Sequence, residues 1–496
     1  MKLSLCVIYF AGWAFLVTTN HALFAQAGPA WGLEPYAGIA SAFLQPAATA
    51  DTPYEWDGNL LAGSGFMRND YAFLRSTNAL RVWRDLRRAE SPTYRDDAFL
   101  FNLNGTDYAY DFTRGNERHT ASISAEILGP ALSVQVGPYG RIGVFFRSRA
   151  ITSVREVDPM LNYYTNLAIP TGTAYPIDPI FAAAAAWSEI GVNASRAFFV
   201  GTDAELRLGA NLRLLLPHEG ARFDYGGGAQ FTKTRGDSLL VTGGSLDLDF
   251  SPGWREETFR FRAAGRGLAA DIGVQYAWEG LTGGGYRYNL GLSLLDYGQL
   301  NYGELNQTHT FRNDGTAIID AENFLFEDAE SYLDEAIRQL SRDANDGNPN
   351  ASRTGSTFLL GLPTTLSAQF AFRPAADWQI ALAYQGDVPW GDNRLTQGQN
   401  LITTLHYGSR FYGGGLSIAV VDWRYANVGF QLRGGPLFFG TDQLFGTLFR
   451  AAEVRGAHFY FGLRFHDLAP DGGRSRRTRG WRSPGGGSRP VRCFKF

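Results

Sequence analysis

Histidine, serine and carboxylate side chains are where catalysis would start, and their spacing in this chain assembles none. Beyond the first residues stand His119, His218, His309, His406, His458 and His466, widely scattered. None has the H-E-x-x-H spacing that brings two imidazoles onto one helix face for zinc. His466 lies beside Asp467 at a strand end, yet no nucleophile can be matched to it. Gly226-Gly227-Gly228, Gly283-Gly284-Gly285 and Gly413-Gly414-Gly415 lack the following Lys and Ser/Thr of a phosphate loop. They read as turns or bends in or between strands. Neither enzymatic activity nor a cofactor or metal site is expected.

The charged residues are better placed. Glu205, Arg207, Arg213, Asp271, Arg287, Arg433 and Arg464 all fall on the polar side of alternating segments. Two readings stay open for them. One is an interior network of ion pairs and hydrogen bonds that holds a fold together. The other is a selectivity lining for a solute path.

The elements that must position these charges show a period of two. Leu206, Leu208, Ala210, Leu212 and Leu214 alternate with Glu205, Arg207, Gly209, Asn211 and Arg213. Such alternation puts the two sets on opposite faces of a sheet. The pattern returns at 271–278, 287–294, 365–372 and 459–466, in segments about as long as a tilted membrane strand requires. A soluble β-sandwich alternates too, so composition has to decide. Glycine is abundant (59 residues), aromatics reach 14% and charged residues only 19%. Tyr276, Trp278, Tyr288, Tyr297, Tyr302, Trp378, Tyr384 and Trp390 stand near strand ends, as an interfacial girdle would. These features favour an all-β, antiparallel up-and-down transmembrane β-barrel of about 14–18 strands.

Export fits that reading. Lys2 precedes an apolar stretch, Leu3 to Val17, and small residues follow around Ala25-Gln26-Ala27, the pattern of a cleaved signal peptide. The expected layout is a signal over 1–27, with cleavage after Ala25 or Ala27. A segment over 28–56 follows, which the lumen could hold, then a barrel over 57–468 and a tail over 469–496. That tail carries Arg474, Arg476, Arg477, Arg479, Arg482, Arg489, Arg492 and Lys495 without an acid. The formal net charge of −3 therefore hides an acidic body. Cys6 leaves with the signal and Cys493 stands alone, so no intrachain disulfide framework is expected.

Connections are uneven. Short turns are expected at 137–140, 199–203, 234–237, 280–285 and 373–377. Long ones are expected at 150–186, 250–267, 297–362, 387–400 and 443–457, with weak early strands at 57–75 and 98–113. Short periplasmic turns and long external loops are the outer-membrane habit. In 327–343, Ala329, Leu333, Ile337 and Leu340 recur at helical spacing, with acids early and Arg338 and Arg342 late, which predicts an amphipathic helix over the barrel mouth.

Several strings resemble those of an uncharacterised outer-membrane barrel family, domain of unknown function 5723. They are Gln45–Asp51, Asp57–Leu60, Trp187–Gly191, Gly291–Gly298, Gly361–Pro363 and Arg433–Asp442. The resemblance implies a barrel distantly like the long-chain fatty-acid transporter class and brings no catalytic or ligand residues. Two functions follow as expectations. One is a channel or transporter for small or hydrophobic solutes in the bacterial outer membrane. The other is a non-transporting accessory barrel of an export or surface complex. The implied partners are outer-membrane lipid, the barrel-assembly machinery and, for the accessory reading, surface or periplasmic proteins. Nucleic acid is not among them.

Overall fold

The computed structural model describes residues 29–89, 92–95, 99–234, 238–256, 259–281, 285–303, 306–320, 331–345 and 347–467. The expected signal, the cationic tail, Gly283, Gly284 and Ala329 lie outside them.

Alternating segments become strands, the early ones up to 24 residues long and extending beyond a bilayer's thickness, the later ones 11 residues or shorter. They are β1 (Trp56–Asn69), β2 (His119–Val136), β3 (Gly140–Val157), β4 (Ile180–Val200) and β5 (Ala204–Gly227). Next come β6 (Gly265–Gly280), β7 (Tyr286–Tyr302), β8 (Thr365–Ala375), β9 (Trp378–Asp387) and β10 (Asn400–Gly408). The last are β11 (Tyr412–Val421), β12 (Tyr425–Gly434), β13 (Leu437–Thr441) and β14 (Gly456–His466). Neighbours in this order pair antiparallel, and β14 pairs back onto β1 through Asp57 and His466. The 14 strands close into a barrel, the form in which a sheet satisfies its backbone in lipid.

The two faces separate as the alternation predicts. Leu208, Leu212 and Leu214 are exposed on the outside of β5, while Arg207, Asn211 and Arg213 between them are buried. Ile272, Val274 and Tyr276 continue this band on β6, and Leu290 and Leu292 on β7. About ten residues at about 3.3 Å, tilted by about 40°, give a band roughly 25 Å tall. Tyr276, Trp278, Tyr288 and Phe372 stack on its outer face toward the short-turn end. Tyr297 meets Trp390, and Tyr384 meets Trp423, toward the other end. Tyr302 is a correction to the girdle. It points inward, fully buried, stacks on Phe358 and donates to the Glu219 carbonyl. Because Leu212 is 63% exposed in the middle of the band, Leu212→Arg is expected to destabilise the barrel by about 2–4 kcal/mol. Unfolding in lipid vesicles would read this, and an unchanged midpoint would contradict the membrane placement.

Structure beyond the membrane gathers at the long-loop end. Ser245–Phe250, Gln307–Arg312, Arg353–Gly355 and Phe358–Gly361 extend the wall above β5 and β7. The early strands expected at 57–75 and 98–113 enter the wall only as β1. Ala72–Thr77 and the hairpin Leu100–Leu103/Thr106–Phe112 join a separate small sheet with Thr93–Arg95 and Ala451–Val454. Their aromatic runs feed a local core instead of a lipid face. The turn expected at 234–237 lies outside the described residues over 235–237; the strands flanking it pair with each other, but in a second small sheet with Ala174–Pro176 and Thr316–Asp320 and not in the wall. The helix begins at the Ser331 cap, whose Oγ accepts the Asp334 amide at 3.3 Å, and spans Tyr332–Ala344. Its Ile337, Leu333 and Leu340 pack on Leu248, Phe250 and Phe311 of the extended wall. Among the described residues no helix is long and apolar enough to cross a membrane.

Candidate functional site

The lumen is filled from the chain's own N-terminal side. Residues 29–55 form three short helical turns, Pro29–Gly32, Gly38–Phe43 and Pro46–Asp51, and touch inward-facing residues on strands all around the wall. Ile39 donates its amide to Asp57 of β1 at 2.6 Å, and Asp57 also meets Arg141 of β3. Thr49 Oγ1 lies 2.8 Å from Asn193 and 2.7 Å from Ser195 of β4. Asn211 of β5 donates to the Ala42 carbonyl at 2.9 Å, Gln369 of β8 to Leu44 at 3.0 Å, and Gln379 of β9 to Leu33 at 2.6 Å. Glu34 accepts from Arg433 of β12 at 2.5 Å and lies 3.8 Å from Arg464 of β14. Asp51 meets Arg207 at 2.8 Å, which also holds Glu205 at 3.0 Å. Short turns leave many carbonyls unused, and these wall side chains satisfy them.

Wall glycines make the room. A Cβ at Gly209 would overlap the Pro46 backbone, and one at Gly273 would overlap the Gln45 amide. Gly143 stands under Ile39 in the same way, and Gly291 under Gln45. The high glycine content thus has a location. It is a smooth inner seat for the segment.

A layer of buried charge crosses the lumen on the long-loop side of this plug. Arg213 of β5 meets Asp271 of β6 at 2.5 Å, Asp296 of β7 at 2.7 Å and Glu189 of β4 at 3.1 Å. Arg147 of β3 meets Glu189 at 2.7 Å and Glu126 of β2 at 3.5 Å. Arg149 meets Asp296 at 2.8 Å and lies over the Trp187 ring. Three guanidiniums therefore face four carboxylates, one formal negative charge in excess. Asp296 reaches the layer through a left-handed backbone (φ 55°) and a register shift that falls between Ala270 and Ile272 in the partner strand. Such a bulge re-aims a side chain that strict alternation would misplace. Between plug and charge layer lies a cavity of about 40 Å³, lined by Trp31, Phe43 and Leu44 opposite Glu126, Arg147, Arg149 and Asp271. Beyond the layer the lumen turns apolar, packed with Ile151, Trp187, Leu215, Tyr302, Leu362 and Leu395.

Of the residues expected on the polar face, Arg213 and Asp271 enter the layer. Glu205, Arg207, Arg433 and Arg464 hold the plug instead, directly or through Arg207. Arg287 joins neither. It sits at the short-turn rim, 40% exposed, paired with Glu279 at 2.8 Å. Glu126, Arg147, Arg149, Glu189 and Asp296 were not singled out from sequence. The signal existed for the arginines, because Arg141, Arg147 and Arg149 share a parity opposite to the exposed Ile142, Val144 and Phe146.

Among the described residues serine and histidine meet directly at Ser188–His218 and Ser352–His309 and gather round one acid at Ser417–Asp442–His458, and none of the three forms a nucleophilic relay. Ser352 lies 3.1 Å from His309, whose other ring nitrogen meets Gln307 and not a carboxylate. Ser417 donates to Asp442 at 3.1 Å, and His458 lies 3.3 Å from the same carboxylate. The acid stands between the other two, so the imidazole cannot take the hydroxyl proton. Ser188 meets His218 at 2.8 Å, but no carboxylate orients that ring and Phe261 stacks on it.

A closed 14-strand barrel with its lumen filled from within defines a plugged β-barrel of the transmembrane kind. Within that class, the chain belongs to the Family of unknown function (DUF5723), whose model matches residues 46–442. No curated protein matches it. Among solved structures it is similar to the TodX monoaromatic hydrocarbon channel deltaS2 mutant, at 10% identity over 87% of this chain and 95% of that one, with a TM-score of 0.35. The Ralstonia pickettii toluene transporter TbuX is 7% identical over 87% and 95%, with a TM-score of 0.28. A Pseudomonas aeruginosa FadL homologue is 10% identical over 89% and 99%, with a TM-score of 0.22. At such identities the likeness concerns the barrel fold alone. The strings that carry the family resemblance meet in the lumen. Gln45–Asp51 is plug, Trp187–Gly191 holds Glu189, Gly291–Gly298 holds Asp296, Leu362 joins the apolar cluster, and Arg433 grips Glu34.

Proposed function

We propose that this protein is an outer-membrane channel for small solutes, gated by its N-terminal segment. The observation that carries the reading is the placement of residues 29–55 across the lumen, held by side-chain contacts to carbonyls and a few ion pairs. The segment's buried residues are of two kinds: Ala37, Ala40, Ala42, Ala47 and Ala50 each bury little apolar area, whereas Trp31, Ile39 and Leu44 pack against the wall and set most of the apolar cost of release. The mixed lining of the adjoining cavity, and the apolar cluster beyond, support a solute with an apolar body and a polar group. No catalytic step belongs to this reading.

The accessory-barrel reading has one observation in its favour. The charge layer crosses the lumen on side chains of the wall alone, although Arg147 also lies over the plug's Phe43 ring at 4.6 Å. A tether separates the two. Thr49 and Ser195 hydroxyls lie 2.7 Å apart, so Thr49→Cys with Ser195→Cys, in a Cys493→Ser background, is placed to form a disulfide. In planar bilayers the oxidised tether is expected to stay silent, and reduction to restore the openings of the untethered protein. Silence from the untethered protein, from the reduced tether and from a plug loosened by Asp51→Ala would sink the channel and leave the scaffold.

A further inference from the structure

The barrel wall is not the whole lipid contact of this molecule. At its long-loop end, α1 (Ala79–Leu86) buries Val82 and Asp85 against the small sheet, where Asp85 accepts the Tyr108 hydroxyl at 2.5 Å. Burial and this bond push the Tyr108 phenol up to about 12, so the anchor stays intact at ordinary pH. The opposite face of α1 is exposed and unusual in kind. It presents Leu80 and Trp83 together with Arg81, Arg87 and Arg88, and the Arg87 guanidinium lies over the Trp83 ring at 5.0 Å, while Arg84 is taken by Asp85 at 2.9 Å.

α1 adjoins a turn of the barrel. β13 stops at Thr441, and the chain then fills the seam between β12 and β14 with a turn, α3 (Leu444–Thr447), numbering the helix at Tyr332–Ala344 as α2. Thr447 is buried and its hydroxyl accepts the His458 amide of β14 at 3.0 Å, which ties the turn into the wall. Asp442 and His458 lie on the buried side, whereas Phe445, Leu448 and Phe449 are exposed on the other (Phe445 58%, Phe449 56%). α1 touches α3. Leu80 and Trp83 on α1 and Phe445 and Phe449 beside it on α3 are thus exposed on two elements in contact, and α3 borders β12 and β14, whose outward Val428 and Phe459 belong to the lipid-facing band.

We infer that α1 and α3 form an interfacial docking surface for a net-anionic, phosphorylated lipid of the leaflet around the long-loop end, its acyl side on Phe445, Phe449 and Trp83 and its phosphates on Arg81, Arg87 and Arg88. Two features select this occupant. The apolar part borders the surface the barrel already gives to lipid, and the polar part is cationic where headgroup phosphates would lie. Arginine suits that role because its planar fork pairs with phosphate in two-point fashion. Aromatic side chains prefer the same boundary. The inference rests on the barrel spanning a membrane and not on its conducting anything.

Nitroxide at Leu80→Cys, in the Cys493→Ser protein, reports where the face sits. In phosphatidylcholine nanodiscs containing lipid A, collisions with oxygen should exceed those with a water-soluble nickel chelate. Native mass spectrometry of protein extracted from the same discs should show retained lipid A, lost several-fold in R81E/R87E/R88E. Normal heat-modifiable mobility of that variant on gels would certify the barrel. Chelate-dominated collisions at position 80 would overturn the docking. Equal lipid A retention by the charge-reversed protein would overturn the assignment of the arginines.

Discussion

Arg213→Met is expected to cost about 3–5 kcal/mol of barrel stability, the usual result of removing one partner from a buried ion cluster. Arg213 touches Asp271, Asp296 and Glu189, all buried inside the lumen. Methionine would fill the volume but leave those carboxylates with only Arg147 and Arg149, and the layer's excess negative charge would double. Arg213→Lys keeps the charge but offers one compact ammonium to three acceptors, so an intermediate loss is expected. Pairing Arg213→Met with Asp271→Asn restores the wild-type charge balance and should recover much of the loss. Urea unfolding in lipid vesicles, with the folded fraction read from gel mobility, measures all three. A single variant within about 1 kcal/mol of wild type, the scale of an exposed pair, would show that water reaches this layer.

Much of this site was legible in the sequence, and what was not has a physical reason. The inward parity of Arg207, Arg213, Asp271, Arg433 and Arg464 followed from the alternation around them, because a period of two admits only one assignment once the apolar face is known. Which of these would meet was not readable. Arg213 and Asp271 are neighbours through strand pairing between β5 and β6, whereas Arg433 finds Glu34 almost the whole chain away. Asp296 was hidden for a different reason. Its left-handed φ and the bulge beside it break the parity that would have flagged it. Glu189 stood in Trp187-Ser188-Glu189 but was read as part of a family string, and the long loop assigned to 150–186 ended the strand pattern just before it. At the extramembrane end, alternation misled. The hairpin at Leu100–Phe112 has strand periodicity, but its Leu103 and Tyr108 serve a small local core and its Phe112 stacks on Tyr163. A strand's period says that it has two faces and not which solvent each one meets.

Gly209→Val should loosen the plug without breaking the wall. Gly209 faces inward between Arg207 and Asn211, pairs with Gly273 on one side and Ser195 on the other, and lies under the Pro46 backbone. Valine suits a strand at that position, so ladder pairing should survive. Its side chain, however, would occupy the space of Pro46, and backbone is less able to yield than the tip of a side chain. Forcing such an overlap typically costs about 1–3 kcal/mol. Falling on the plugged state alone, that cost raises the unplugged population about 5–150-fold. Two readouts should move together. Open probability in planar bilayers should rise, and a protease specific for aromatic residues should cut at Trp31, Tyr36, Phe43 or Tyr54 from the short-turn side. Gly291→Ala, whose new methyl would meet only the Gln45 side-chain amide, should move both far less. Cutting that rises while conductance stays silent would mean that the plug leaves and the charge layer still closes the barrel, which favours the scaffold. If neither changes in Gly209→Val, the segment is a fixed part of the wall's interior and gates nothing.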